Sequence, residues 1–316
     1  MSVANATVRG PGRGPMAAVR HFVGDIGILG YVIRLFILLV FAGYFVVPMV
    51  WLVVTTSRTP EQLFHNYNPL SFGSIDRVIQ SWTDILNYQN GAITTWLGNS
   101  VRYAVLTLIG SLAVCIPAGY VLAVGRFPGR KALLWITLIT MILPLSALVL
   151  PTFLELNFFG LINTQWAVIL PAIFFPFGVY LTYVYYGSSL PRELLDASRV
   201  DGCSDLRVFW HIALPLARPL LGLLAFISFN ANWNNFFGPY VMLQDDSLYN
   251  LPVGIATVIN STSALRPGFN PTPGAIKFVQ ADAAMAGLVM IVPVVIVFML
   301  SMRYVTRGAF TGGVKG

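Results

Sequence analysis

Two polar clusters interrupt an otherwise apolar chain, and they hold the side chains whose types and spacing could do chemistry. The first reads Pro191-Arg192-Glu193-Leu194-Leu195-Asp196-Ala197-Ser198-Arg199-Val200-Asp201-Gly202 and closes with Ile212-Ala213-Leu214-Pro215. Its acids, small residues and glycine make neither a nucleophile with its base nor a ligand set. They suit docking instead. A helix starting after Pro191 puts Glu193 and Asp196 in its first turns, where the helix dipole favours acids. Leu194, Leu195, Ala197 and Ser198 make a small, partly apolar face, and Gly202 ends the helix or admits a close partner. A second short helix is expected from about Asp205 to Leu214, stopping at Pro215. Such a helix-turn-helix could turn a partner's motion into rotation of the segments on either side of it. An ordinary capped amphipathic surface helix is the plainer alternative.

The second cluster is Asn230, Asn232, Trp233, Asn234 and Asn235, inside an apolar run. Side-chain amides in hydrocarbon are costly unless satisfied, so these residues must face other helices or water. Amides with an aromatic ring can hold a sugar, through its hydroxyls and its flat face, or they can serve as glue between helices. Other chemistries are missing. No G-x-x-x-x-G-K-[ST] occurs, so the chain has no nucleotide-binding loop of its own, and the nearest fragment, Gly125 to Lys131, has the wrong spacing. His21, His65 and His211 are scattered, and Cys115 and Cys203 fall at different levels, so neither a metal site nor a disulfide is expected. No catalytic residue, cofactor ligand or metal ligand is assigned.

The elements that carry these clusters follow from composition. Of 316 residues 56% are hydrophobic and 10% charged, and mean hydropathy is +0.74, the profile of an integral membrane protein. Uncharged runs cover 35–57, 103–125, 132–154, 156–191, 219–244 and 283–302. A helix needs about 20 residues to cross the bilayer core, so each run can span once. The fourth is expected to span from Trp166 to Gly187. The runs are continuously apolar, which favours six helices over a barrel. The stretch 1–33 reads as a tail, its opening Ser2–Pro15 disordered, followed by a retained first helix rather than a cleaved signal. Residues 34–305 form the membrane domain, with the polar insert at 191–218, and 306–316 is a second tail.

Charge sets the orientation. Fourteen Lys and Arg fall on the side of the termini and the insert, and five on the other, so the insert and both termini are expected in the cytoplasm. Lipid head groups account for the net charge of +7 without a nucleic-acid partner. The assigned cores contain no Asp, Glu, Lys, Arg or His, which argues against an ion-coupled transporter. Prolines 48, 117, 144, 151, 171, 176 and 293 allow kinks. The outer segment 58–102 holds Trp82, Tyr88 and Trp96, read as interfacial aromatics.

The insert resembles the cytoplasmic loop of binding-protein-dependent ABC importer permeases, in which E-A-A, three residues, Gly, nine residues and I-x-L-P recur. Asp196-Ala197-Ser198, Gly202 and Ile212-Ala213-Leu214-Pro215 hold that spacing, with Asp for Glu and Ser for the second Ala. Arg126-Phe127-Pro128-Gly129-Arg130, Leu161-Ile162-Asn163-Thr164, Asn232 to Phe237, Leu251-Pro252-Val253-Gly254 and the closing Gly312 to Gly316 are similar to the carbohydrate-importing branch, its maltose-permease-like six-helix subunit. The resemblance implies an all-α type I ABC importer transmembrane domain (MetI-like) in a bacterial or archaeal plasma membrane. It implies a second homologous permease, two ATP-binding subunits that carry ATP and Mg, an extracytoplasmic solute-binding protein and a sugar-like solute. Glu193, Asp196, Ala197, Ser198, Gly202, Ile212, Leu214 and Pro215 are then the ATPase-coupling residues, and the asparagine cluster lies beside the translocation path. A glycerophosphodiester or oligopeptide permease is the alternative. An unusually long outer loop around Arg266–Lys277 departs from this group.

Overall fold

The computed structural model describes residues 27–65, 68, 70–261 and 278–311. The Ser2–Pro15 tail, the Arg266–Lys277 loop and the Gly312–Gly316 ending lie outside them. The regular structure of the described residues is all helix. Its elements are α1 (Gly27–Thr55), α2 (Pro60–His65), α3 (Ile75–Asn87), α4 (Ala92–Val124), α5 (Arg130–Ile142), α6 (Leu145–Phe158), α7 (Trp166–Ile173), α8 (Pro176–Ser189) and α9 (Arg192–Val200). Then follow α10 (Asp205–Leu216), α11 (Arg218–Trp233), α12 (Phe237–Met242), α13 (Leu251–Ser261) and α14 (Gln280–Thr311).

All six apolar runs are helical, and four are continuous spans: α1, α4, α7 with α8, and α14. The other two are broken. The run expected as one span at 132–154 bends by 108° between α5 and α6, where Pro144 cannot donate a backbone hydrogen bond and biases Leu143 toward extended backbone. Its φ/ψ of −65°/127° is that conformation. The run at 219–244 likewise stops at Trp233, and a further 76° bend at Ala217 separates α10 from α11. Arg34 lies inside α1, and α14 runs on to Thr311, because single charges near the ends of long helices do not stop them. Of the marked prolines, Pro144 and Pro176 sit at breaks, whereas helices continue through Pro48, Pro117, Pro151, Pro171 and Pro293.

The central element is α4, whose 33 residues extend about 50 Å, well beyond a bilayer core. It runs through two clusters. The one beside α3 joins Ile85, Trp96, Phe229, Trp233, Leu251 and Met285, from α3, α4, α11, α13 and α14, with Phe278 just before α14. The one beside α9 joins Tyr120, Tyr186, Leu195, Phe209 and Ala213, from α4, α8, α9 and α10. Between them α4 and α8 approach closely, because a Cβ on Gly119 would fall 2.4 Å from that of Thr182. By contrast α1, α5 and α6 expose apolar side chains along most of their length, as helices in lipid or against a partner subunit do.

Several stretches that carried the resemblance prove to be fastenings. Arg130 of Arg126-Phe127-Pro128-Gly129-Arg130 donates through its guanidinium to the carbonyls of Leu122, Ala123 and Gly125. These are orphan groups at the C-terminal end of α4, where the helix dipole also favours a cation. Asn163 of Leu161-Ile162-Asn163-Thr164 accepts from the backbone N–H of Gln244 and Asp245, both at 2.9 Å, and so ties the loop after α6 to the end of α12.

Gly254 of Leu251-Pro252-Val253-Gly254 lies against the buried ring of Trp96, and a Cβ there would stand 2.1 Å from it. The indole donates to the Asp246 carbonyl at 2.8 Å, so the ring cannot simply swing away. Gly254→Ala should therefore destabilise the subunit by about 1–3 kcal/mol. The check is the thermal midpoint of the purified protein beside Gly254→Ala/Trp96→Phe, whose smaller ring should restore part of the loss.

Candidate functional site: the α9–α10 elbow

The polar insert folds as an elbow with two unlike sides. Pro191 opens α9, and at the other end Cys203 N–H bonds Ser198 O and Gly202 N–H bonds Arg199 O, both at 3.0 Å. This paired pattern is a Schellman stop, which needs a left-handed residue beyond the helix. Gly202 supplies it with a φ of +76°. The Ser204 hydroxyl then caps α10 by accepting from Arg207 N–H. Arg199 reaches Asp196 at 3.7 Å and Asp205 at 3.5 Å, bridging the two helices across the turn.

The inner side is locked to the bundle. Leu195 and Ser198 are buried, as are Val208, Phe209 and Ala213 of α10. Tyr120 of α4 meets Tyr186 of α8 edge-on at 5.3 Å and Phe209 at 5.1 Å. The Tyr186 hydroxyl donates to Ala213 O, and the Tyr185 hydroxyl to Leu216 O at 2.8 Å. One π-type turn at Phe209–Ala213 widens α10, so the helix continues through Pro215 rather than stopping there and ends at Leu216. Ala217 is fully buried where α11 departs. Through these contacts the elbow packs against the adjoining ends of α4, α8 and α11.

The outer side carries the exposed residues. Glu193, Asp196 and Ala197 share one face of α9 at helical spacing, opposite Leu195 and Ser198. Gly202 and Pro215 are also exposed, Ile212 and Leu214 are half-buried, and Ser198 is buried with its hydroxyl on Leu195 O. Ser198 therefore belongs to the packed side of the elbow and not to its free face. One residue completes that face without having been singled out from the sequence. Val200 stands three residues after Ala197 and four after Asp196, and is 88% exposed. Leu206 and Trp210 extend the apolar surface onto α10. The helical spacing of Val200 from Asp196 was the available signal.

The asparagine cluster takes another form than an amide-bearing stretch of continuous helix. It is where α11 ends. Asn232 donates to Ser228 O at 2.8 Å, and Asn234 donates to Asn230 O at 2.9 Å, so these amides satisfy carbonyls of the helix's own last turns. Asn250, buried and unremarked in the sequence, donates to Asn235 O at 2.7 Å and fixes the break before α12. Trp233 is 1% exposed, stacks on Phe229 and donates to Met290 O of α14 at 2.9 Å. It is a core residue joining α11 to α14, so no ring face is open to a solute. The exposed aromatic pair beside the break is Phe236 and Tyr240, stacked at 5.3 Å.

Among the described residues no His, Cys, Asp and Glu cluster could hold a metal ion.

Residues 115–310 match the family described as the binding-protein-dependent transport system inner membrane component. The chain is 36% identical over 272 residues to the arabinooligosaccharides transport system permease protein AraQ of Halalkalibacterium halodurans, covering 86% of this chain and 91% of that one. It is 29% identical over 228 residues to the diacetylchitobiose uptake system permease protein NgcG of Streptomyces coelicolor, covering 71% and 73%. The crystal structure of a bacterial ABC transporter involved in the import of the acidic polysaccharide alginate contains a chain of the same fold. That chain matches with a TM-score of 0.72 at 21% identity, over 94% of this chain and 100% of that one. With its all-α bundle of broken and continuous spans and its two-sided elbow, this chain belongs to the binding-protein-dependent transport system inner membrane component family, the membrane-embedded permeases of ABC importers.

Proposed function

We propose that the chain pairs with a homologous permease to form the path for a sugar or oligosaccharide, driven by two ATPase subunits. The observation that carries this reading is the elbow. Its inner side is fastened to α4, α8 and α11, and its outer side presents Glu193, Asp196, Ala197 and Val200. ATP and Mg belong to the ATPases, which would grip that outer side. Its exposed glycine and proline, Gly202 and Pro215, complete the contact, with half-buried Ile212 and Leu214 beneath. The chain itself performs no covalent chemistry. The elbow and both termini then face the cytoplasm of a bacterial or archaeal cell, and a solute-binding protein docks on the opposite side.

The substrate class is supported by the relatives, whose names record arabinooligosaccharides and diacetylchitobiose. Within the chain, the break between α11 and α12 offers what a sugar requires. Asn230, Asn232, Asn234 and Asn235 supply amides, and exposed Phe236 and Tyr240 supply the aromatic surface that buried Trp233 does not.

The test is transport in vesicles holding both permeases, the ATPases and the binding protein. Labelled arabinose or chitin oligosaccharides should accumulate only with internal ATP and added binding protein. Uptake that persists without the ATPases, or follows an imposed ion gradient, would sink the reading. A Tyr240→Ala/Asn234→Ala variant should raise the half-saturating solute concentration about tenfold, as loss of a stack and a hydrogen bond together costs roughly 1–2 kcal/mol. Binding-protein-stimulated ATP hydrolysis should stay intact.

A further inference from the structure

The outer helix α3 is tied at both ends and in its middle to the outer ends of three spans. At its start, Ser74 N–H donates to Ser57 O at 2.8 Å and Gly73 N–H to the Ser57 hydroxyl at 2.9 Å, just beyond the end of α1. Arg58 holds that turn closed by donating to Ser71 O at 2.7 Å. In the middle, Arg77 pairs with Asp282 in the first turn of α14 at 2.5 Å, and Ser81 faces Thr56 O. At its end, the Tyr88 ring meets Trp96 in the first turns of α4 and Phe278 just before α14. The points of attachment all lie where a span meets the outer surface. A helix of 13 residues, about 20 Å long, that is fixed this way must run along the membrane boundary and cannot project from it.

Its three sides differ accordingly. One holds Arg77, Val78, Ser81 and Ile85 against the bundle. A second exposes Asp76, Gln80, Thr83 and Asn87, which are polar. The third exposes Ile75, Ile79, Trp82 and Leu86 in a single stripe, and the preceding loop adds Leu70 and Phe72. Of the three outer aromatics expected at the interface, Tyr88 and Trp96 are core residues and Trp82 alone is exposed. We infer that α3 is an interfacial membrane helix whose Ile75–Ile79–Trp82–Leu86 stripe lies in the head-group and acyl boundary of the outer leaflet. The occupant of the stripe is lipid. It continues the apolar surface of the spans to which α3 is tied, it bears the side chain that favours that depth, and its water-facing side carries no cation to demand acidic lipid. Lipid contact there would brace the ends of α1, α4 and α14 against each other.

The experiment uses the full transporter in lipid vesicles, in a Cys203→Ser background with buried Cys115 retained. Spin labels are placed singly through Ile79→Cys, Trp82→Cys, Leu86→Cys, Gln80→Cys and Thr83→Cys. Collision with oxygen relative to a water-soluble nickel chelate should be several-fold higher at 79, 82 and 86 than at 80 and 83. The inference is overturned if the chelate reaches 79 and 82 as freely as 80, which marks a water-exposed face. It is equally overturned if both reagents are excluded from the stripe, which marks a protein cover such as the binding protein. Neither result touches the transport assignment, which is read from uptake.

Discussion

Val200→Asp should abolish transport while the subunit inserts and folds normally. The side chain is 88% exposed and touches no core cluster, and exposed substitutions of this kind change stability by about 0.5 kcal/mol or less. Its only consequence should therefore appear when something covers it. A valine seated in an ATPase cleft and replaced by a carboxylate loses apolar contact and buries a charge without a partner. Central interface positions cost about 2 kcal/mol or more when altered, roughly a thirtyfold loss of affinity. Recovery of the ATPase subunits with a tagged permease should fall together with uptake, and the thermal midpoint should not move. Full uptake by the variant would show that the outer face of α9 is not where force enters. Gly202 is a poorer probe. A Cβ there has open space, but its φ of +76° imposes a strain of about 1–2 kcal/mol on other residues whether or not a partner binds.

The second large effect is expected on stability. Asp282 is wholly buried and Arg77 is 11% exposed, with Asp84 a further 3.5 Å from the guanidinium. Arg77→Ala would strand the Asp282 carboxylate in the core beside α3, leaving it only the neutral Val279 N–H at 2.9 Å and the Ser81 side chain. Removing one member of a buried pair costs about 3–5 kcal/mol, a large share of a typical domain's net stability. The variant should melt well below the parent in detergent or expose α3 to proteolysis. Arg77→Met/Asp282→Leu should recover most of that loss, because apolar groups of similar volume need no counter-charge. If Arg77→Ala melts with the parent, the pair does not hold α3 to α14.

Membrane class and the number of apolar segments were legible because the bilayer demands long uncharged runs, and the polar elbow was legible because its charges separate two of them. The broken spans were not. Pro144 and Pro117 look alike in sequence, yet α4 continues through Pro117 while the chain turns by 108° at Pro144. Whether a proline bends a helix sharply depends on what neighbouring elements can satisfy or pack against. Nothing in the sequence marked Asp282, since the partner that buries it is 205 residues away in the chain.

What the sequence determined by itself was membership of a membrane permease class and the place of the polar elbow, because both are written in local hydropathy and residue spacing. Only the tertiary structure decided what each marked residue does. Trp233 became core, Ser198 turned inward, Arg130, Asn163 and Gly254 became fastenings, and Val200 and Tyr240, which the sequence had not marked, came to the surface. The physical reason is that a side chain's role is set by what lies across from it, and those neighbours come from helices distant in the chain.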